Sequence, residues 1–188
     1  MKTKMKKAIM VHGWGGSSGG GWFDWLKHEL EKKKIEVHAF DMPDTDNPKI
    51  KDWIGYLEDN IPSLDEETYL VGHSIGCQTI MRFLEKTSKG KVAGCVFVAG
   101  WFTLKGLGNA EIPIAKPWLE TPIDFNKVKR NTNKILTIFS DDDPYVPLSD
   151  SELFKKNLNA KIIIIKNKGH IDELNKSEIK IILDFIEK

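Results

Sequence analysis

Residues 68–78 read TYLVGHSIGCQ. Thr68 to Val71 form strands readily, Gly72 and Gly76 bracket Ser74, and Ile75 to Lys86 continue at helical spacing. A serine between two glycines at such a junction is either a plain surface turn or a nucleophile held on a strained corner. The pattern G-x-S-x-G points to the nucleophile only where a strand precedes it and a helix follows, as here. The turn is then so tight that the neighbouring side chains must be small. Ser74 would stand at the carboxyl end of its strand, beside a helix N-terminus whose dipole favours negative charge.

The same alternation extends in both directions. Apolar runs at 8–13, 37–42, 92–100, 134–140 and 160–167 join 68–73 as six candidate strands. Most are continuously apolar, as strands covered on both faces are. Amphipathic patterns lie between them at 22–33, 47–61, 75–86, 149–157 and 177–187. Strand and helix in alternation imply a three-layer α/β/α arrangement around an open, mainly parallel six-stranded sheet. At 188 residues the chain suits a single domain, 1–188. The segment 101–132 breaks the rhythm with Gly106, Gly108, Pro113, Pro117 and Pro122. It reads as a short lid or pocket wall with a helix near 126–130, too short for a second domain.

A serine hydroxyl needs a base. Of five histidines, His170 alone follows both a strand end and an acid, in the chain order Ser…Asp…His. His73 adjoins Ser74 and should point away, and His12 precedes the glycines of the first loop. The acid should follow the penultimate strand, where SDDDP offers Asp141, Asp142 and Asp143. Asp143 precedes Pro144 and is biased to extended backbone, which does not settle the choice. An anion pocket would draw one N–H from Ile75 and one from the HGWGG loop, most simply from Trp14. If the first and third strands are neighbours, both loops lie at the switch point where such sheets bind ligands. Trp101 and Phe102 stand at a predicted strand end beside this site and are candidates for an aromatic substrate pocket.

Other classes fit less well. Twenty-eight basic against 27 acidic residues leave a net charge of +1, without the basic excess of a nucleic-acid binder. No apolar run reaches the ~18 residues of a membrane span, and Ala8 to Val11 is too short for a signal peptide, so a cytoplasmic protein is expected. Cys77 and Cys95 make neither a disulfide framework nor a metal quartet and are expected to be buried thiols. GWGGSSGGG is not a dinucleotide fingerprint, because Ser18 stands where the third glycine belongs, and no G-K-[ST] follows for a P-loop.

The residues quoted so far resemble the α/β-hydrolase superfamily, in a compact form with a minimal cap. More narrowly, GWFDWLKHELEK, FDMPD, GHSIG, KPW with IDFNKVKRN, DDPYVP and the late GH are similar to small serine hydrolases typified by retinoblastoma-binding protein nine. The resemblance covers nearly the whole chain and implies Ser74 as nucleophile, His170 as base and Asp143 as acid. It also implies hydrolysis of small carboxylic esters, with aminoacyl esters, amides or thioesters as variants, and no cofactor or metal. The expected partner is a small-molecule ester, with no nucleic acid and no membrane; no segment identifies a protein partner. The competing class is an idle hydrolase fold used for binding, whose mark would be a damaged triad. Asp141 and Asp142 offer a secondary reading, in which they attract a cationic substrate such as an aminoacyl ester.

Overall fold

The computed structural model describes residues 5–132 and 134–188. Residues 1–4 of the expected domain, and Asn133, lie outside the described residues. Among these, six strands form one sheet: β1 (Lys7–Val11), β2 (Glu36–Phe40), β3 (Thr68–His73), β4 (Gly94–Val98), β5 (Ile135–Ser140) and β6 (Lys161–Ile165). Their spatial order is β2-β1-β3-β4-β5-β6, and every pairing is parallel. The helices are α1 (Trp22–Lys32), α2 (Ile50–Asn60), α3 (Ile75–Lys86), α4 (Ile112–Glu120), α5 (Phe125–Asn131), α6 (Asp150–Leu158) and α7 (Lys176–Glu187).

The apolar runs of the central strands feed two cores, one on each face. Successive strand residues point to opposite sides. Ile9, Val11, Leu70, Cys95 and Phe97 therefore pack against α2, α3, α5 and α6. Ala8, Met10, Tyr69, Val71, Val96 and Val98 pack against α1 and α7. Fully burying a side chain such as Leu26 or Leu70 contributes about 1.5–3 kcal/mol, which is why the charge on these strands is confined to Lys7 at the start of β1. Continuous burial fails at the margin: Ile164 on β6 is 49% exposed, flanked by Lys161 and Lys166 that discourage pairing with another chain. Cys77 and Cys95 are buried and free, and burial pushes the Cys95 thiol up to about 12.

The segment 101–132 holds more structure than its prolines suggest. Alongside α5, capped by the Asp124 carboxylate on the N–H groups of Asn126 and Lys127, it forms α4. Pro113 lies in the first turn, where no N–H is needed. Two buried charges pin the segment. At its start, Asp150 accepts from Phe102 N–H (2.6 Å), Thr103 N–H (2.8 Å) and Thr103 Oγ–H (2.7 Å). At its end, the Arg82 guanidinium donates to the carbonyls of Trp118 (2.9 Å) and Thr121 (2.7 Å), where the negative end of the helix dipole favours a cation.

Candidate active site

β1 and β3 are neighbours, and the chain leaves them in opposite directions, to β2 on one side and β4 on the other. The loop after β1 and the turn after β3 thus meet at the carboxyl edge of the sheet. Ser74 sits on that turn with φ 51° and ψ −120°. A non-glycine residue there stores about 1–3 kcal/mol of strain. Its N–H donates to the Val98 carbonyl (2.9 Å) and its carbonyl accepts from Cys77 N–H (3.0 Å), so strand and helix hold the corner from both sides. The glycines are needed for the close approach. A Cβ on Gly72 would lie 2.8 Å from the Cys77 nitrogen; one on Gly76 would press into the Val11 carbonyl and lie 2.7 Å from that of His12.

His170 bridges to this corner from the loop after β6. Its Nε2 is 2.8 Å from Ser74 Oγ and its Nδ1 is 2.9 Å from Asp143 Oδ2. A carboxylate only accepts, so Nδ1 carries the proton, and Nε2 is left with a lone pair for the serine hydroxyl. Asp143 is 4% exposed and Ser74 7%. The other oxygen of Asp143 accepts from Tyr145 N–H (2.8 Å) and Val146 N–H (2.9 Å). Burial alone would raise the Asp143 pKa; the bond to His170 and these two N–H groups outweigh it and hold the carboxyl below its ordinary range.

Asp141 and Asp142 do not reach His170 or the cavity beside it. Asp141 Oδ1 accepts from Asn167 N–H (2.9 Å), and Asp142 Oδ1 accepts from Gly169 N–H (2.8 Å) and Ser140 Oγ–H (2.7 Å). The carboxylates that do line the cavity are Asp46, Glu111 and Asp172. None of these was apparent in the sequence, because each comes from a different loop or helix start.

The cavity above Ser74 has a volume of about 460 Å³. Trp14, Ile75 and Trp101 line it, with Leu104, Leu107 and Ile114 contributed by the 101–132 segment. Ile75 begins α3, so its N–H has no acceptor within the helix. Trp14 is held by its indole N–H on the Asp46 carbonyl (3.0 Å). Phe102 is not part of the lining: it stacks on Phe154 (4.3 Å) and meets Phe125 edge-on (5.2 Å). His12 has a scaffold role that the sequence did not show. Its Nδ1–H donates to the Gly13 carbonyl (2.7 Å) and its Nε2 accepts from Met42 N–H (3.0 Å), and burial lowers its pKa. His73, next to Ser74, makes its hydrogen bond elsewhere: its Nε2–H donates to the His170 carbonyl (2.9 Å). Among the described residues, no group of three or more His, Cys, Asp or Glu side chains is placed to hold a metal ion. No helix among them is long and apolar enough to cross a membrane.

The family model described as serine hydrolase matches residues 8–177. The chain belongs to this serine hydrolase family. Among its relatives, YdeN of Bacillus subtilis is 30% identical over 168 residues, covering 89% of this chain and 87% of YdeN. RBBP9 of Rattus norvegicus, a serine hydrolase, is 27% identical over 176 residues, covering 92% of this chain and 91% of RBBP9. The crystal structure of the ydeN gene product superposes with a TM-score of 0.86 at 26% identity, over 98% of this chain and 100% of that one. Est1E of Butyrivibrio proteoclasticus, solved with ferulic acid bound, shares the fold with a TM-score of 0.68 at 14% identity, over 98% of this chain and 91% of that one. The chain is thus a hydrolase with the α/β-hydrolase architecture.

Proposed function

We propose that this serine hydrolase is a single-domain enzyme that cleaves small carboxylic esters through an acyl-enzyme on Ser74. The observation that carries the reading is the His170 ring, set between Ser74 Oγ and Asp143 Oδ2 by its two nitrogens. Ser74 Oγ attacks the ester carbonyl while His170 Nε2 takes its proton. Asp143 stabilises the imidazolium that forms and keeps the ring in the reactive tautomer. The N–H groups of Ile75 and Trp14 receive the developing oxyanion, each such donor contributing about 10²–10³ in rate. His170 returns the proton to the leaving alcohol. Water then enters by the same route, passes its proton to His170, and releases the acid.

The substrate class follows from the cavity. Its size suits a small molecule, and its apolar wall of Trp101, Leu104, Leu107 and Ile114 suits an alkyl or aryl acyl group. Asp46, Glu111 and Asp172 line it without any lysine or arginine, which favours neutral or cationic esters, aminoacyl esters included, over anionic ones. The test is labelling by a fluorophosphonate probe, with the adduct located by mass spectrometry. An adduct on Ser74 in the wild type, absent from Ser74→Ala, is expected. A folded wild type that takes no label would instead favour an idle fold used for binding.

A further inference from the structure

The loop that presents His170 has a backbone that needs outside support. Asn167, Gly169 and Ile171 have φ of 55°, 52° and 58°. For a residue with a Cβ this left-handed conformation costs roughly 1–2 kcal/mol. The segment is therefore tied to its surroundings at successive backbone groups. On the donor side, Asp141, Ser140 and Asp142 at the end of β5 accept from the N–H groups of Asn167 (2.9 Å), Lys168 (3.0 Å) and Gly169 (2.8 Å). On the acceptor side, His73 Nε2–H donates to the His170 carbonyl (2.9 Å) and Trp22 Nε1–H to the Ile171 carbonyl (3.0 Å).

The tie from His73 differs from the others. It grips the base's own carbonyl, and it comes from the residue next to the nucleophile. We infer that His73 is a positioning residue, whose Nε2–H fixes the His170 backbone and so sets the separation between Ser74 Oγ and His170 Nε2. The inference rests on the serine-hydrolase reading of the site. Because Ser74 and the clamp on its base are consecutive residues, a displacement of the elbow carries both partners of the proton transfer together. The β5 ties perform the matching service for Asp143, which leaves that same strand.

The His73 ring is confined on three sides. Trp22 meets it edge-on at 5.9 Å and the His170 ring lies 5.2 Å away. A Cβ on Gly13 would come within 2.8 Å of its Nδ1, so the glycine leaves the ring its place. The ring's free lone pair, on Nδ1, faces Gly13, while Ser74 Oγ pairs with His170 Nε2, so His73 is no second base for Ser74. Burial, with the charge of His170 adding to it, draws its pKa down to about 4, against the opposing carboxylates of Asp172 and Asp143. The ring is thus neutral whenever His170 must become cationic beside it.

Three substitutions test this. His73→Gln offers an N–H at similar reach, His73→Asn an N–H that falls short, and His73→Leu none. Turnover of p-nitrophenyl acetate is measured on folded protein beside wild type and Ser74→Ala. The leucine and asparagine variants should lose about 10–10² in kcat, since misplacing a catalytic group by about 1 Å can cost about 10², with KM nearly unchanged. The glutamine variant should recover most of the loss. The deshielded proton between His170 Nδ1 and Asp143, seen by NMR in the wild type, should survive in the glutamine variant and broaden in the other two. Wild-type kcat in the leucine or asparagine variant overturns the inference, as does a glutamine variant no faster than asparagine. Failure of the underlying reading looks different: it is wild-type protein that neither turns over nor labels, or Ser74→Ala that still turns over.

Discussion

Each ionisable or polar side chain at the site has its role fixed by what its partner is able to accept. Asp143 uses one oxygen for the N–H groups of Tyr145 and Val146 and the other for His170. Asp143→Asn would keep the first set but turn an amide N–H toward Nδ1–H. The ring escapes that clash by moving its proton to Nε2, where it no longer accepts from Ser74. On the proposed reading, kcat for a p-nitrophenyl ester should fall by on the order of 10⁴ with the fold retained. Asp142→Asn keeps an acceptor oxygen for Gly169 N–H and should cost no more than about tenfold, the worth of about one net hydrogen bond. Equal losses in the two variants would overturn the assignment of the acid. The sequence narrowed the acid to three neighbours and went no further on its own. Asp141, Asp142 and Asp143 share the same local chemistry, and what separates them is how the loop after β5 curls against the loop after β6. A resemblance to known hydrolases favoured Asp143; pattern alone did not. The partner of His73 was hidden for a related reason: an elbow residue's neighbours alternate in direction, but what they meet depends on a loop nearly a hundred residues away.

The helices show the same division between local and distant information. α1, α2, α3, α6 and α7 were legible because apolar residues recur at helical spacing and the helices rest on a sheet whose central strands are largely apolar. α4 was hidden by Pro113 and Pro117, which read as breakers in a segment already rich in glycine. It exists because tertiary partners replace what its sequence lacks: Trp118 donates its indole N–H to the Pro48 carbonyl (2.9 Å), and Arg82 satisfies the carbonyls at its end. Arg82 is 2% exposed and its Nε has no hydrogen-bond partner among the described residues, so the guanidinium carries a desolvation cost of its own. Removing it relieves that cost but leaves the buried Trp118 carbonyl without its donor, worth about 1–3 kcal/mol, and takes a second bond from the carbonyl of the exposed Thr121. Arg82→Met should therefore destabilise the fold by about 1–3 kcal/mol, read from urea unfolding midpoints. Ile114, on the same helix, lines the cavity. KM for esters of longer acids should rise more than KM for acetate, and an unchanged chain-length profile would mean that α4 does not shape the pocket.

The protein as a whole carries almost balanced charge, +1 from 28 basic and 27 acidic residues, so its response to mild acid should come from particular groups rather than from general repulsion. Two of those groups stand at the carboxyl ends of β1 and β3, where the sheet's switch point brings the loops together. His12 is lowered from its ordinary 6.5 by burial, and His73 to about 4 by burial and by His170. That switch point could be anticipated from the alternation of strands and helices; the burial of two histidines beside it could not, since it depends on how Met42, Trp22 and the His170 loop close over them. The sign of the consequence is fixed. Below pH 6.5 the unfolded chain takes up protons that the folded one refuses, so stability is full above that pH and declines as pH falls toward about 4. Asp143, whose pKa is depressed, contributes above the ordinary carboxylate range and is lost only as pH falls through its lower folded value. The histidine window therefore comes first on acidification. Urea midpoints from pH 8 to 4.5 should fall with decreasing pH, and His73→Gln should flatten that fall by up to about one proton's worth of slope. A slope identical in the two proteins would mean that His73 takes up its proton in the folded state as readily as in the unfolded chain, and that burial does not keep the ring neutral.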